Sequence, residues 1–149
     1  IDDNTTLGAS QQQRIGDIMR APTPPISDNA MLPEIAAQFL KHTYNYLPVI
    51  NEKEHLIGLV ALHDVKPHLN TKDELKSVIA SDVMIPVPQV LTPNQLVLDA
   101  LPKLLKSDQR NIPVVNDLIE RKLVGSVSKA EALGLLSEAI AVHSKLRSR

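Results

Sequence analysis

Pro48-Val49-Ile50-Asn51 is the stretch that decides the fold, because it recurs 65 residues later as Pro113-Val114-Val115-Asn116. The triplet Asp17-Ile18-Met19 precedes the first copy, and Asp82-Val83-Met84 precedes the second copy at the same distance. Because the two pairs of landmarks share both order and spacing, they indicate an internal duplication, which has to be recognised before any fold is assigned.

A glycine-containing segment follows each Pro-Val stretch. Leu56-Ile57-Gly58-Leu59-Val60 follows the first, and Leu123-Val124-Gly125-Ser126-Val127 follows the second after two additional residues. The additional residues predict a longer hairpin loop in the second copy. An acidic residue lies six positions beyond each glycine, Asp64 in the first copy and Glu131 in the second. The duplication therefore extends from the Asp-x-Met triplet to this acid.

Each copy has the pattern of a β-α-β-β-α unit. Apolar residues recur at helical spacing over 31–41 and 95–106, with a kink expected at Pro102, and short β-branched runs surround each Pro-Val. A sheet of about three strands leaves one apolar face uncovered, so we expect the two units to cover each other about a pseudo-two-fold axis. The sequence thus predicts an α+β (α/β two-layer) fold with clefts at the junction, where ligand sites are common.

The duplication also predicts how the chain is divided. We expect an N-terminal tail, a first repeat, a linker, a second repeat and a C-terminal tail at residues 1–12, 13–70, 71–77, 78–143 and 144–149. The chain starts without Met, which suggests a piece excised from a larger protein.

Composition argues against several classes of protein. A formal net charge of −1 and 2% aromatic residues do not suit a nucleic-acid binder, which usually carries a basic stripe and stacking rings. The sequence has no Cys, and its five His have no spacing that suggests a metal site. It also contains no glycine-rich phosphate loop, no paired acid–base set and no long apolar run. We therefore expect neither catalysis nor a membrane span within this piece.

The Asp-x-Met triplet, the Pro-Val-Val/Ile-Asn strand and the Gly-x-Val-x-x-x-acid turn resemble those of the CBS (cystathionine-β-synthase) domain in its tandem form. The resemblance covers residues 15–69 and 79–140. Within the first copy, residues 43–49 and 59–64 resemble the first CBS domain in the cytosolic tail of chloride channels and transporters. The order, spacing and duplication of the motifs carry this resemblance, since each motif alone is a common string.

The resemblance implies a regulatory module that binds an adenine nucleotide (AMP, ADP or ATP) between its repeats and modulates an attached channel or transporter in the membrane. It implies a position on the cytoplasmic face of the membrane, no required cofactor and no nucleic-acid partner. A homodimer through the CBS helices is also implied, and its candidate surface is the stripe of Ala132, Leu133, Leu136 and Ile140. Two interpretations stay open beside it: a purely structural dimerisation module, and the regulatory domain of a metabolic enzyme or a divalent-metal transporter.

For the ribose, the resemblance implies a carboxylate from Asp64 or Glu131, because one carboxylate can accept hydrogen bonds from both ribose hydroxyls. The family places a hydroxyl three residues past the glycine, which corresponds to Ser128 in the second copy but to Ala61 in the first. Tyr44 offers adenine a stacking surface that the second copy lacks. These differences favour a cleft formed by Tyr44, Ser128 and Glu131.

With two-fold packing, we expect residues 44–48 to face the Glu131 turn and residues 110–113 to face the Asp64 turn. The candidate nucleotide-binding residues are Thr23, Tyr44, Tyr46, Pro48, Asp64, Asn111, Pro113, Ser128, Lys129 and Glu131. The candidate phosphate-binding residues are Arg20, His63 and Arg110.

The same residues also have a structural interpretation. Asp64 and Glu131 lie where a strand gives way to a helix, so each carboxylate suits the positive end of the helix dipole. Tyr44 or Tyr46 could equally be a core residue whose hydroxyl reaches the rim. The sequence does not separate these interpretations from ligand binding.

Overall fold

The computed structural model describes residues 13–147, with side chains as far as Ala141. The expected tail at residues 1–12 therefore lies outside the described residues. The first half contains, in order, α1 (Ile15–Ile18), β1 (Ile26–Ser27), α2 (Leu32–Lys41), β2 (Tyr46–Ile50), β3 (Leu56–Ala61), α3 (Leu62–Val65) and a 3-10 helix (Lys66–Asn70). The second half contains α4 (Lys72–Ser77), α5 (Ala80–Val83), α6 (Leu101–Lys106), β4 (Asn111–Val115), β5 (Leu123–Ser128) and α7 (Lys129–Arg147).

The two halves form similar sheets. In the first, β1 pairs parallel with β2, and β2 pairs antiparallel with β3. In the second, β4 pairs antiparallel with β5, and the place of β1 is taken by a single parallel bridge from Leu91 to Val114. Helices cover one face of each sheet, and the mixed α+β arrangement of two repeats confirms the predicted fold class.

Each repeat has its own core, but the segment containing the Asp-x-Met triplet belongs to the core of the other repeat. Ile15 is fully buried among side chains of the second repeat, and Ala80 is fully buried among those of the first. Backbone hydrogen bonds fix this exchange symmetrically, from Ile15 N to Gln95 O and from Ala80 N to Ala30 O, both at 2.8 Å. The exchange ties the repeats together, which the sequence pattern alone did not indicate.

The exchanged segments explain two of the repeated landmarks. Asp17 accepts a hydrogen bond from the N–H of Arg14 at 2.9 Å, so its carboxylate caps the short helix α1. Met19 then packs directly over Gly125, where an added Cβ would lie 2.8 Å from Sδ and 3.0 Å from the carbonyl oxygen of Arg20. The triplet and the glycine are therefore complementary halves of one contact between the repeats.

The helix before β4 differs from the prediction. It was expected to span 95–106 with a kink at Pro102, whereas α6 begins at Leu101 and the preceding residues form turns. Proline has no N–H to donate, so Pro102 is accommodated in the first helical turn, where that donor would be unpaired anyway. The kink prediction was therefore wrong.

The residues expected to form the linker, 71–77, contain the short helix α4, which runs Lys72–Ser77. The expected dimerisation stripe in the last helix is corrected in part by the structure. Of the proposed dimerisation stripe, Ala132 and Leu136 are buried in the second repeat's own core and Leu133 is half-buried against it. Only Ile140 is exposed, so the stripe is not a free apolar surface. α7 also continues to Arg147, into the expected C-terminal tail.

Candidate functional site in the groove between the repeats

A groove lies between the two repeats and draws its walls from both. It encloses about 250 Å³ when space open to solvent is counted, but only about 10 Å³ is accessible to the centre of a water molecule. The first repeat and its preceding segment contribute Thr23, Tyr46, Pro48 and Leu59, and the second contributes Gln109, Asn111, Pro113, Leu123, Gly125 and Ser126. The groove therefore exists only because the repeats are paired.

Strand alternation explains why these side chains face the groove. In β4, Ile112 and Val114 are fully buried in the second repeat's core, so Asn111 and Pro113 lie on the opposite face, toward the first repeat. β2 has the same alternation, with Tyr46 and its proline on the groove side. The Pro-Val motif thus divides its residues between the core and the groove.

Glu131 lies in the first turn of α7 and contacts both repeats. Its backbone N–H donates to Ser128 Oγ at 3.2 Å, so the serine hydroxyl caps the helix. Its carboxylate meets the guanidinium of Arg20, with 3.1 Å between Nη2 and Oε2 and 3.2 Å between Nε and Oε2. The acid of the second repeat is therefore paired with a cation that the exchanged segment supplies.

The equivalent acid of the first repeat has different surroundings. Asp64 is half-buried, and its Oδ1 lies 3.2 Å from Nε2 of the exposed His63. Its helix α3 is only four residues long and begins after Ala61, whose methyl group cannot form a capping hydrogen bond. In the duplication, Arg20 corresponds to Ile85, which is apolar. The two acids are thus equivalent in sequence but not in electrostatic environment.

The loops that precede β2 and β4 meet each other across the axis. Arg110 Nη1 donates to the carbonyl of Thr43 at 3.1 Å, and Asn45 Nδ2 donates to the carbonyl of Asp108 at 3.3 Å. Arg110, one of the predicted phosphate-binding residues, is therefore engaged with the opposite loop.

Each of these loops also hydrogen-bonds the strand-to-helix turn of its own repeat. Leu62 N donates to Asn45 O and Lys129 N donates to Arg110 O, both at 3.0 Å. The prediction placed residues 44–48 opposite the Glu131 turn of the other repeat. The side chain of Tyr46 does share the groove with Ser126 of that repeat, but the backbone contacts of the loop are local.

Tyr44 packs against the core of the first repeat. Its half-buried ring lies beside His42, with 5.4 Å between the ring centroids and a 40° tilt between the planes. Tyr46 is the aromatic side chain that lines the groove. The aromatic residue in the groove lining is therefore not the predicted Tyr44 but the tyrosine two residues further along the chain.

A second, more open cavity lies beside the start of α7. It encloses about 580 Å³ including space open to solvent, and its lining is Asp108, Gln109, Arg110, Lys129, Ala130 and Leu133. Lys129 Nζ donates to the carbonyl of Ser107 at 2.6 Å, which fixes the loop before β4. Four predicted basic residues are thus distributed over three places: this cavity, the Glu131 turn and the Asp64 turn.

Gln109 is the functional candidate that the sequence analysis missed. It corresponds to Tyr44 in the duplication, lines both the groove and the second cavity, and is only 3% exposed. Its Oε1 is buried without a hydrogen-bond partner. Applying the repeat offset to Tyr44 would have identified this position, but glutamine in a loop gave no signal of its own.

The structure brings part of the predicted site together. Five of the predicted nucleotide-binding residues line the groove: Thr23, Tyr46, Pro48, Asn111 and Pro113. The other five are not in its lining: Tyr44 lies on the first core, Lys129 lines the second cavity, and Asp64, Ser128 and Glu131 lie at the strand-to-helix turns.

Comparison with known proteins agrees with the duplication. The family model described as CBS domain matches residues 15–70 and again residues 80–138. A curated relative, a methylated protein of Methanocaldococcus jannaschii, is 23% identical over 96 residues. That match covers 63% of this chain, and the chain spans about half (53%) of the relative's length.

Solved structures share the fold at low sequence identity. CBSX2, a CBS-pair protein of Arabidopsis thaliana whose structure was solved in complex with AMP, superposes with a TM-score of 0.66 at 23% identity, covering 84% of this chain and 96% of that one. The CBS domain of a bacterial CNNM/CorC family Mg²⁺ transporter, solved in complex with ATP, has a TM-score of 0.68 at 19% identity, covering 91% and 94%. Among residues 13–147, none of the helices is both long enough and apolar enough to cross a membrane. The two family matches and the paired fold together show that this chain belongs to the CBS domain family, as a tandem pair.

Proposed function

We propose that this chain is a regulatory, ligand-sensing module that binds an adenine nucleotide (AMP, ADP or ATP) in the groove between its repeats. The observation that carries the proposal is that both repeats line one groove. A ligand bound there contacts both halves at once, so its binding energy depends on how the halves are arranged. As the ligand concentration rises, binding at such a site shifts the repeats toward the arrangement that binds the ligand more tightly.

The chemistry of the groove supports a planar, polar-edged ligand. The prolines Pro48 and Pro113 and the ring of Tyr46 provide flat apolar surface, while Thr23 and Asn111 provide hydrogen-bonding groups at its edge. This combination of an apolar lining with a few polar groups is typical of small-molecule sites. The complexes of CBSX2 with AMP and of the Mg²⁺ transporter domain with ATP support the choice of ligand class.

Glu131 is the proposed ribose acceptor, and its pairing with Arg20 supplies a mechanism. When the ribose hydroxyls donate to the carboxylate, the guanidinium is displaced and becomes available to a phosphate group. Both side chains have solvent access for this exchange, since they are 71% and 41% exposed. Arg20 belongs to the exchanged segment and Glu131 to the second repeat. Displacement of the guanidinium therefore breaks a contact between the repeats.

The groove is narrow in this structure, with room for about one water molecule. Its water-accessible space of about 10 Å³ is far below the roughly 300–1,000 Å³ of typical ligand pockets, so the proposal requires the groove to widen when a nucleotide binds. A rearrangement of this kind typically transmits about 1–3 kcal/mol to a second site. We expect the module to sense the nucleotide without converting it.

For the attached protein, we propose a membrane channel or transporter with this module on its cytoplasmic face. The resemblance of residues 43–49 to the chloride-channel tail supports a chloride-conducting partner. The structural likeness to the Mg²⁺ transporter domain supports a divalent-metal transporter as the second candidate. Flux of chloride and of Mg²⁺ through the full-length protein in vesicles, with and without ATP, separates the two.

Thermal unfolding of the chain with AMP, ADP or ATP tests the ligand proposal. At about 100-fold over the dissociation constant, a ligand adds about 2.7 kcal/mol of stability. Inorganic phosphate at the same concentration is the control, because it tests for simple anion binding. If no nucleotide shifts the transition at millimolar concentration, the ligand proposal is overturned and the structural dimerisation module is the favoured alternative.

A further inference from the structure

Gln109 is held in the groove by a fixed loop. Its backbone N–H donates to the hydroxyl of the buried Ser107 at 3.1 Å, and the carbonyl of Ser107 accepts from Lys129 at 2.6 Å. The contacts of Ser107 restrain the loop before Gln109, and the hydrogen bond from Lys129 N to Arg110 O restrains it after Gln109. The side chain of Gln109, 97% removed from solvent, reaches the groove that Tyr46 and Asn111 also line.

The amide oxygen of this side chain is an acceptor without a donor. Within residues 13–147, Gln109 Oε1 is the buried side-chain atom for which the structure provides no hydrogen-bond partner. Leaving a buried polar atom unpaired typically destabilises a protein by about 1–3 kcal/mol, and such atoms are rare in folded proteins. A donor for this acceptor has to come from outside the chain, either from a bound water or from a ligand that enters the groove.

We propose that Gln109 Oε1 accepts a hydrogen bond from the exocyclic amino group of adenine and so selects the base. This rests on the proposed function and names the group that recognises the ligand within it. The surroundings suit a base better than a sugar or a phosphate, because Tyr46, Pro48 and Pro113 present flat apolar surface beside the amide. Arg20, the basic residue paired with Glu131, is not part of the groove lining.

The test combines a ligand change with a protein change. AMP and purine riboside 5′-monophosphate, which has hydrogen in place of the amino group, are titrated calorimetrically against the wild-type chain and Gln109→Leu. We expect the wild type to bind AMP about tenfold or more tightly than the analogue, which corresponds to one hydrogen bond to a buried group. In Gln109→Leu the two ligands should bind within about twofold of each other.

Controls keep the outcomes distinct. Gln38→Leu makes the same substitution on α2, outside the groove lining, and should retain the wild-type preference for AMP. Gln109→Met provides a second variant if the leucine variant does not fold. The assignment would be overturned if the wild type bound AMP and the analogue equally, or if both Gln109 variants kept the preference for AMP. A bound water would then be the donor to the amide oxygen. Failure of every nucleotide to bind would instead overturn the proposed function.

Discussion

Arg20 and Glu131 form an ion pair between the two repeats, with 3.1 Å between Nη2 and Oε2. Arg20 Nε and Nη2 donate to the two carboxylate oxygens at 3.2 and 3.3 Å, so both oxygens are engaged. The first repeat has no matching pair at its acid, because the position equivalent to Arg20 is Ile85. The two equivalent acids therefore have different partners: Glu131 is paired with Arg20, and Asp64 contacts the adjacent His63.

Glu131→Ala should weaken nucleotide binding more than Asp64→Ala does. Loss of a charged acceptor for the ribose typically amounts to about 1.5–3 kcal/mol, which is about 10–150-fold in the dissociation constant. Calorimetric titration with the best-bound nucleotide measures this, and Asp64→Ala is the matched control. A larger loss in Asp64→Ala would place the ribose at the other acid instead.

Arg20→Ala should change the free energy of unfolding of the free chain by no more than about 1 kcal/mol, because the Arg20–Glu131 pair is exposed to solvent.

Gly58→Ala should destabilise the chain, whereas Gly134→Ala should stabilise it slightly. A Cβ at position 58 would lie 2.7 Å from Met84 Sδ and 3.0 Å from the carbonyl oxygen of Ile85, which is backbone of the exchanged segment. Overpacking of this kind typically destabilises by about 1–3 kcal/mol. Position 134 is exposed on α7 with no atom within 4 Å of an added Cβ, so alanine gains about 0.5–1 kcal/mol of helix propensity.

Chemical denaturation of the two glycine variants beside the wild type measures both effects. The opposite signs make the comparison decisive, because a general effect of adding a methyl group would move both variants the same way. Equal stability of Gly58→Ala and the wild type would mean that the exchanged segment does not pack on β3 as described.

Ile15→Ala should destabilise the chain by about 2–5 kcal/mol although the residue lies near the beginning of the sequence. The side chain is fully buried in the second repeat's core, and truncation leaves a cavity there. Leu40→Ala is the control, since Leu40 is 90% exposed and its truncation should change stability by less than about 0.5 kcal/mol. Similar free energies of unfolding for the two variants would contradict the segment exchange.

Glu120 should titrate below the ordinary carboxyl range. Hydrogen bonds from Lys122 and Asn116 in the second hairpin loop lower its pKa from the ordinary 4.5, and the same pairing raises the pKa of Lys122 above 10.5. The contribution of Glu120 to loop order is thus present above its unfolded pKa and lost as pH falls through the folded one. For Lys122 the contribution is present below its unfolded pKa and lost as pH rises through the folded one.

A carbon-detected NMR titration of the Glu120 carboxyl measures its pKa directly. Lys122→Ala should raise that pKa toward the ordinary value, because the first cause of the shift is removed. Lys53→Ala, in the corresponding hairpin of the first repeat, is the control and should leave it unchanged. No difference between Lys122→Ala and the wild type would contradict the described pairing.

The regular elements beside the repeated landmarks were largely predictable. α2 was expected at 31–41 and is found at Leu32–Lys41, because apolar residues at helical spacing form a continuous stripe there. The same reasoning failed for α6, where the stripe continues across Pro102 but the helix begins just before it. Apolar periodicity indicates which side chains are buried. It does not show that Pro102 lacks the backbone N–H that a residue inside a helix donates.

The candidate site was predicted in part for a similar reason. Tyr46, Pro48 and Asn111 reached the groove because strand alternation, which the sequence displays, decides which face a side chain takes. Tyr44 did not, because it lies in a loop whose direction depends on contacts with His42 and the first core. Gln109 was missed because burial of a loop residue is a property of the paired repeats.

The sequence by itself determined the duplication, the order of the strands and the choice of CBS domain family, since order and spacing of local motifs carry that information. Only the tertiary structure decided that the two Asp-x-Met segments exchange cores, that Arg20 meets Glu131 and that Gln109 is buried with a free acceptor. These features join residues 50 to 111 positions apart or depend on such pairings, and no local pattern records which distant surfaces will meet. Packing of one repeat on the other brings these residues together, because it buries an apolar segment of each repeat in the core of the other.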